Sequence, residues 1–472
     1  MLEGMVDETR EDVLPPVTLA WKGFRGFASR TEFTLPRLTL LIGRNNVGKT
    51  SAYAPLLMLR QTLDAHSPDT ALLSRGALID AGPFRDYATG HDSAGTVEFE
   101  IGVPGQPDVS PYRSEAKYRL AKYELGFRSV DGMDPYLARQ RIEDVSGNAL
   151  VSRTRTEPAG LFTLRSELLP TRSKQGRPIR EMTALRRALR EEQPRGFLFD
   201  GSRALMIPRE VRQNRERWIQ VQDWFNAASD LYDLQYRANS YLKKFLRGIS
   251  YIGPLRSLPL RTYRLGPEAP FEVGRTGEHA PELLYRNQGG DAQAIVDRWL
   301  VSLGYGRLSF TGHGDEYFQL HLQRDSGLNV NIADSGVGFS QVLPLLLQTA
   351  LASEGEMVVA QQPEIHLNPA QQSIVTDFLI ERAAANVRVV VETHSEHVLL
   401  RLRRRMAEGL LNAGDVAVYF VEADERGTHL RHISIGDLGE IDREQWPQGF
   451  FEDQLHDAFA LAAEQAKRRA TS

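Results

Sequence analysis

Residues Leu38 to Ser51, LTLLIGRNNVGKTS, constrain the fold of this chain more than any other stretch. Leu38–Ile42 is an apolar run of the right length for one buried strand. Gly43-Arg44-Asn45-Asn46-Val47-Gly48-Lys49-Thr50 then fits G-x-x-x-x-G-K-[ST], the phosphate-binding P-loop, and Ser51–Leu63 reads as the helix that follows it. Gly43 and Gly48 let the backbone turn tightly and aim its N–H groups at phosphate oxygens. The helix N-terminus adds partial positive charge at the same place. Lys49 has the reach for the β- and γ-phosphates, and the Thr50 hydroxyl suits Mg²⁺. A strand on one side and a helix on the other make a chance match in a loop the weaker reading, so nucleotide binding is expected.

With 472 residues, 41% of them hydrophobic and 25% charged, the chain has the composition of an ordinary globular protein and length for two or three domains. A net charge of −4 argues against a histone-like coat for nucleic acid. Without cysteine there is no disulfide, thiolate zinc site or cysteine nucleophile. The acidic start is unlike a signal peptide and the longest apolar run, near Val342–Ala352, is too short for a membrane span, so a cytoplasmic protein with no membrane partner is expected.

The expected organisation is a loose tail (1–15), an ATPase lobe carrying the P-loop (16–104), an inserted, partly helical subdomain (105–250), a second lobe (251–425) and a C-terminal segment (426–472). Val17–Lys22 and Thr31–Leu35 read as strands ahead of the P-loop strand. Thr96–Val103 has strand character, and Tyr118–Phe127 alternates with one slip at Ala121 and Lys122. Pro208–Gly248 has helical period. Between 151 and 250 stand 20 Lys+Arg and 11 Asp+Glu, against a deficit in the rest of the chain. A solvated face is the plain account of that surplus, and contact with nucleic acid or an acidic partner the other.

Asp334-Ser-Gly-Val-Gly-Phe-Ser-Gln341 is a glycine-rich turn opening an apolar helix, Val342–Leu351. Then come a strand, Met357–Ala360, running into Gln361-Gln-Pro-Glu-Ile-His-Leu-Asn-Pro369, and another, Val387–Val391, running into Glu392-Thr-His-Ser395. With these pieces in this order the chain resembles the SMC/Rad50-like branch of ABC-type ATPases. More closely, it is similar to a family of bacterial AAA ATPases ending in W-P-x-G-F-F, here Trp446–Phe451. Other matching pieces are Tyr251-Ile-Gly-Pro-Leu-Arg256 and Glu392-Thr-His-Ser-Glu-His397.

The resemblance implies an α/β P-loop NTPase fold of the ABC/SMC head type. Gly43 to Ser51 would hold ATP with Mg²⁺. The turn carrying Ser335, Gly336, Gly338, Ser340 and Gln341 would cap the γ-phosphate bound to a second subunit, giving a homodimer or larger homo-oligomer with ATP sandwiched between heads. His394 would be the switch histidine. The family places a carboxylate at the end of the strand before His366, whereas this chain has Gln361 and Gln362, with Glu364 nearest. Gln keeps the shape of Glu but cannot take a proton. Gln361, expected beside the metal, therefore puts hydrolysis in doubt, and whether it is natural or an ATP-trapping substitution stays open. Gln361, Gln362, Glu364 and His394 are the candidate catalytic residues; Glu364, after Pro363, is expected to point elsewhere, with a rescue role as the alternative. Asn368, where relatives often have His, is a lesser departure. Phe420–Asp424 is faintly similar to the first acidic motif of a Toprim nuclease, but no later D-x-D follows, so no nuclease is expected. The expected roles are an ATP-gated dimerising switch for a partner effector, with defence against phage as its setting, or a nucleic-acid-handling ATPase using 151–250. A metabolic kinase fits the turn and the histidine poorly.

Overall fold

Strand β3 (Leu38–Gly43) is buried at every position, as its apolar run requires, and both its edges are paired. The computed structural model describes residues 14–110, 117–130, 132, 134–169, 187–199, 213, 215–324 and 326–441. Trp446–Phe451 and the helix expected at Asp453–Arg469 lie outside these residues, as does most of the 1–15 tail. In chain order the remaining strands are β1 (Val17–Lys22) and β2 (Thr31–Leu35) before β3, then β4 (Val97–Gly102), β5 (Leu120–Ser129), β6 (Pro135–Asp144), β7 (Ala149–Thr154) and β8 (Thr163–Arg165). After them come β9 (Ile249–Ile252), β10 (Tyr263–Arg264), β11 (Arg307–His313), β12 (Tyr317–Gln323), β13 (Asn329–Asn331), β14 (Met357–Gln361), β15 (Arg388–Glu392), β16 (Val416–Asp424) and β17 (Gly427–Ile433). The chain divides into two compact units, the first holding Thr50–Ile249 and the second Pro36–Lys49 and Ser250–Glu422, with shorter pieces of each elsewhere.

The first unit is built on an antiparallel sheet of order β2-β1-β4-β5-β6-β7-β8. Its core is aromatic: the Trp21 ring meets Phe99 edge-on at 5.4 Å, and Phe99 continues to Phe127 at 5.7 Å. The Arg215–Arg247 helix buries Ala228, Leu231, Leu234, Ala238, Leu242 and Leu246, one stripe at helical spacing. Its Asn239 accepts from the Tyr123 hydroxyl at 3.2 Å, tying helix to sheet.

The sequence boundary at 104/105 falls inside this sheet. β4 pairs with β5 from Val97↔Phe127 to Gly102↔Lys122, so 105–250 continues the sheet and contributes four of its strands. The basic surplus and the long helix obscured strands such as β6, whose half-buried positions carry Arg139 and Arg141 on either side of the buried Gln140. The slip in alternation at Ala121–Lys122 is a register shift between Leu120 and Lys122, a β-bulge. The boundary at 425/426 likewise falls between β16 and β17, which are neighbours in one sheet.

The second unit contains a six-stranded sheet of order β17-β16-β3-β15-β14-β9. β14, β15, β3 and β16 run parallel. Continuous Val, Ile and Leu runs suit strands covered on both faces. The covering helices include Val337–Leu351, Pro369–Ala384 and Glu396–Ala407, whose buried residues join the strands in one core. A smaller sheet, β10-β12-β11 with β13 on β12, completes the unit. Among the described residues no helix is long and apolar enough to cross a membrane.

Candidate functional site

The P-loop leaves the C-terminal end of β3 in a conformation that only small or turn-forming residues adopt easily. Gly43 (φ 148°), Asn46 (φ 63°) and Gly48 (φ 97°) have positive φ. A Cβ on Gly43 would lie 2.4 Å from the Val421 carbonyl oxygen, so glycine is needed there twice over. Lys49 is 4% exposed, and its Nζ donates to the carbonyls of Gly43 (3.1 Å) and Arg44 (2.7 Å). Burial holds its pKa below the usual lysine value, opposed by Glu392 first and Glu364 second. The lysine is thus folded onto the loop's own carbonyls. Thr50 and Ser51 follow it in a short 3₁₀ turn, Lys49–Ala52, and the α-helix expected from Ser51 begins at Ala54.

The ends of β14 and β15 lie beside this loop within the same unit. β14 and β15 are in register to their last residues, Gln361 opposite Glu392. The Gln361 amide donates to Glu392 Oε1 at 3.2 Å, and its carbonyl accepts from the Tyr251 hydroxyl at 2.6 Å. The Gln362 N–H donates to the Glu392 carbonyl at 2.7 Å, with Gln362 at φ 46°. Ile365 N–H donates back to the Gln362 carbonyl at 3.2 Å, closing a turn with Pro363 at its second position, where proline is favoured.

That turn overturns the expected orientation of Glu364. It swings the carboxylate back into the site, where Oε1 accepts from Thr393 Oγ1 at 2.7 Å and from the His394 N–H at 3.0 Å. Its Oε2 is buried with no partner among the described residues. Burial pushes the Glu364 pKa up, against the hydrogen bonds from Thr393 and His394 and the nearby Arg256. His394 is held below the usual imidazole value by burial and then by the Lys49 charge, so it is neutral at pH 7.

Arg256 is a second buried cation of the site, in addition to Lys49. Its Nη1 donates to the Gln341 carbonyl at 2.7 Å and its Nη2 to the Gln361 carbonyl at 3.3 Å, and burial pushes its pKa down to about 10. Sequence patterns assign no role to Tyr251, Arg256 or Glu392. Tyr251 and Arg256 sit in the SYIGPLR stretch, which breaks after one strand, and Glu392 reads as an ordinary strand end, so only pairing reveals them.

The glycine-rich turn is shorter than expected. The Val337–Leu351 helix starts immediately after Gly336, so Gly338, Ser340 and Gln341 lie in its first turns. Ser340 and Gln341 are buried, and the Ser340 hydroxyl donates to the Val337 carbonyl at 2.6 Å. Ser335 is half-buried, while Gly336 and Val337 are exposed. Asn368 caps the Pro369–Ala384 helix by accepting from Gln371 N–H at 3.0 Å, a role that asparagine fills well.

Residues 38–401 match the family described as "AAA domain, putative AbiEii toxin, Type IV TA system". Residues 411–461 match a second family, "Protein of unknown function (DUF3696)". No curated protein matches the chain. Solved structures similar to it include the SMC head domain from Thermotoga maritima, with 10% identity, 89% of this chain and 99% of that chain covered, and a TM-score of 0.37. Another is the Smc head domain with a coiled coil and joint from Pyrococcus yayanosii, with 9% identity, 89% and 97% covered, and a TM-score of 0.40. A third is the SmcHead bound to the C-winged helix domain of ScpA, with 12% identity, 90% and 98% covered, and a TM-score of 0.37. With its P-loop after β3, its parallel strand ends and a family match over most of its length, the chain belongs to this AAA-domain family and has an α/β P-loop NTPase fold.

Proposed function

We propose that the chain is an ATP-dependent switch, in which two copies close around ATP–Mg²⁺ and open slowly because hydrolysis is slow. The observation that carries this reading is the neutral pair Gln361–Gln362 at the end of β14, beside a complete phosphate-binding loop. The donor set fits the nucleotide: positive-φ residues at Gly43, Asn46 and Gly48 turn the loop, and Lys49 can exchange two carbonyl acceptors for phosphate oxygens. Thr50 is the hydroxyl for Mg²⁺, which when bound neutralises phosphate charge. Gln361 is a poor metal residue as placed, its carbonyl already accepting from Tyr251. In the closed pair Ser335, Gly336 and Gly338 face the partner's phosphates, and the buried Ser340 and Gln341 support them.

The switch acts in the cytoplasm on a partner effector protein, and the family's description as a toxin of a toxin–antitoxin system favours a defence module against phage. The test is molar mass by light scattering with ATP–Mg²⁺ and with ADP, beside phosphate release. A dimer with ATP, a monomer with ADP and slow release support the reading. No change in mass with ATP sinks the closed pair. Recovery of the protein from its host in ATP identifies the partner.

One face of the Arg215–Arg247 helix favours a second reading. Tyr236, Ser240, Lys243, Lys244 and Arg247 recur at helical spacing and are exposed, with Tyr232 stacked on Tyr236 at 6.2 Å. Aromatic and basic side chains in one stripe suit single-stranded nucleic acid. Salt-sensitive binding of an oligonucleotide, lost in Tyr236→Ala/Lys244→Ala, would favour it.

A further inference from the structure

The reaction that a P-loop site supports needs an acceptor for the proton of the attacking water, and neither residue at the end of β14 can serve. The amides of Gln361 and Gln362 have no basic lone pair at neutral pH. Glu392 Oε1 is engaged by the Gln361 amide. His394 has its pKa lowered by burial and by Lys49, which makes it a weaker acceptor than an ordinary imidazole.

Glu364 differs from all four. One oxygen is fixed by two donors, Thr393 Oγ1 and His394 N–H, and the other, Oε2, is buried and unpartnered among the described residues. The anchoring removes rotamer freedom, so the second oxygen is held in place before any substrate arrives. The same carboxylate lies within electrostatic reach of Lys49, the residue that meets the transferred phosphate. The anchor is itself part of the segment bearing the switch histidine, so the acceptor and His394 are set by one pair of hydrogen bonds.

We propose that Glu364 is the general base of this chain, taking the water's proton from the turn after β14, while the negative charge that a strand-end carboxylate would add beside the metal stays missing and keeps the step slow. The inference rests on the nucleotide-binding reading above. In the step it serves, the water oxygen bonds to the γ-phosphorus and the bond from that phosphorus to the β,γ-bridging oxygen breaks. ADP leaves with the electron pair of that bond, and the water's proton passes to Glu364 Oε2. Burial raises the basicity of the carboxylate toward the working pH, which helps an acceptor.

The test uses the full chain and its Glu364→Gln and Glu364→Asp variants. Three readouts are taken on each: affinity for a non-hydrolysable ATP analogue with Mg²⁺ by calorimetry, melting temperature, and the ADP fraction of the bound nucleotide after timed incubation with ATP. Glu364→Gln keeps the oxygen that accepts from Thr393 and His394, so analogue affinity is expected to stay within about threefold while conversion to ADP falls roughly 100-fold or more. Glu364→Asp, one methylene short, is expected between the two. Conversion in Glu364→Gln equal to the parent overturns the proposal. So does loss of analogue binding in both variants, because Glu364 would then be only an anchor for Thr393 and His394. Absence of analogue binding by the parent chain is a different result, and it overturns the nucleotide-binding reading itself.

Discussion

Gln361 and Glu392 end adjacent parallel strands as register partners, and the amide of the first donates to the carboxylate of the second at 3.2 Å. A carboxylate at 361 would meet another carboxylate there. Gln361→Glu is therefore expected to lower the stability of the nucleotide-free protein at neutral pH, since one of the pair acquires a raised pKa and each tenfold gain in proton affinity costs the ionised form about 1.4 kcal/mol. A raised folded-state pKa means the folded form holds its proton more tightly, so the penalty is present above that pKa and disappears as pH falls. Urea unfolding of both proteins between about pH 5 and 8 measures it, and parallel curves would refute it. With Mg²⁺ and ATP the same variant is expected to release phosphate at least about tenfold faster, because the added charge can hold the hydrated metal.

Lys49→Ala is expected to weaken ATP binding by roughly 100-fold or more, the loss of charged hydrogen bonds to phosphate. Its melting temperature should hold or rise, because the residue removed is a buried cation whose hydrogen bonds among the described residues go to the loop carbonyls of Gly43 and Arg44. Calorimetric affinity equal to the parent would show that Lys49 stays on those carbonyls when nucleotide is present.

His394 supplies a pH dependence of opposite sign to the carboxylate pair. Its folded-state pKa lies below the ordinary value of 6.5, so on acidification the unfolded chain takes the proton first and stability falls. The window lies below about pH 6.5, where His394→Asn should flatten the decline. An identical acid limb in the variant would mean that another group causes it.

Gly338→Ala tests the packing beneath the glycine-rich turn. The new Cβ would lie 2.8 Å from the Tyr305 hydroxyl, which accepts from Gln371 at 3.3 Å. A loss of about 1–3 kcal/mol is expected in denaturant melts, with part restored by adding Tyr305→Phe. No loss would mean Tyr305 moves freely.

The strand–loop–helix order, the parallel strands and the stretches that carry the site could all be read from residue patterns, because buried strands announce themselves as runs such as Val387–Val391. Glu364 could not, since its direction depends on a turn whose closing bond, Ile365 to Gln362, has no signature beyond Pro363. The continuation of the first sheet through β6 and β7 was hidden for another reason. Arg139 and Arg141 of β6 stand half-buried and Arg153 of β7 is wholly buried, so the arginines counted as a basic surplus are in part built into the sheet. Ser340 and Gln341 look like surface residues in a glycine-rich stretch, and only the early start of the Val337–Leu351 helix turns them inward.

Arg256 binds Gln341 and Gln361 through their main-chain carbonyls and touches neither residue's identity. The link between the helix and the strand end thus does not run through the side chain at either position. Gln361→Glu is therefore expected to leave the Arg256 bridge between the Val337–Leu351 helix and the end of β14 in place while it changes the contact with Glu392.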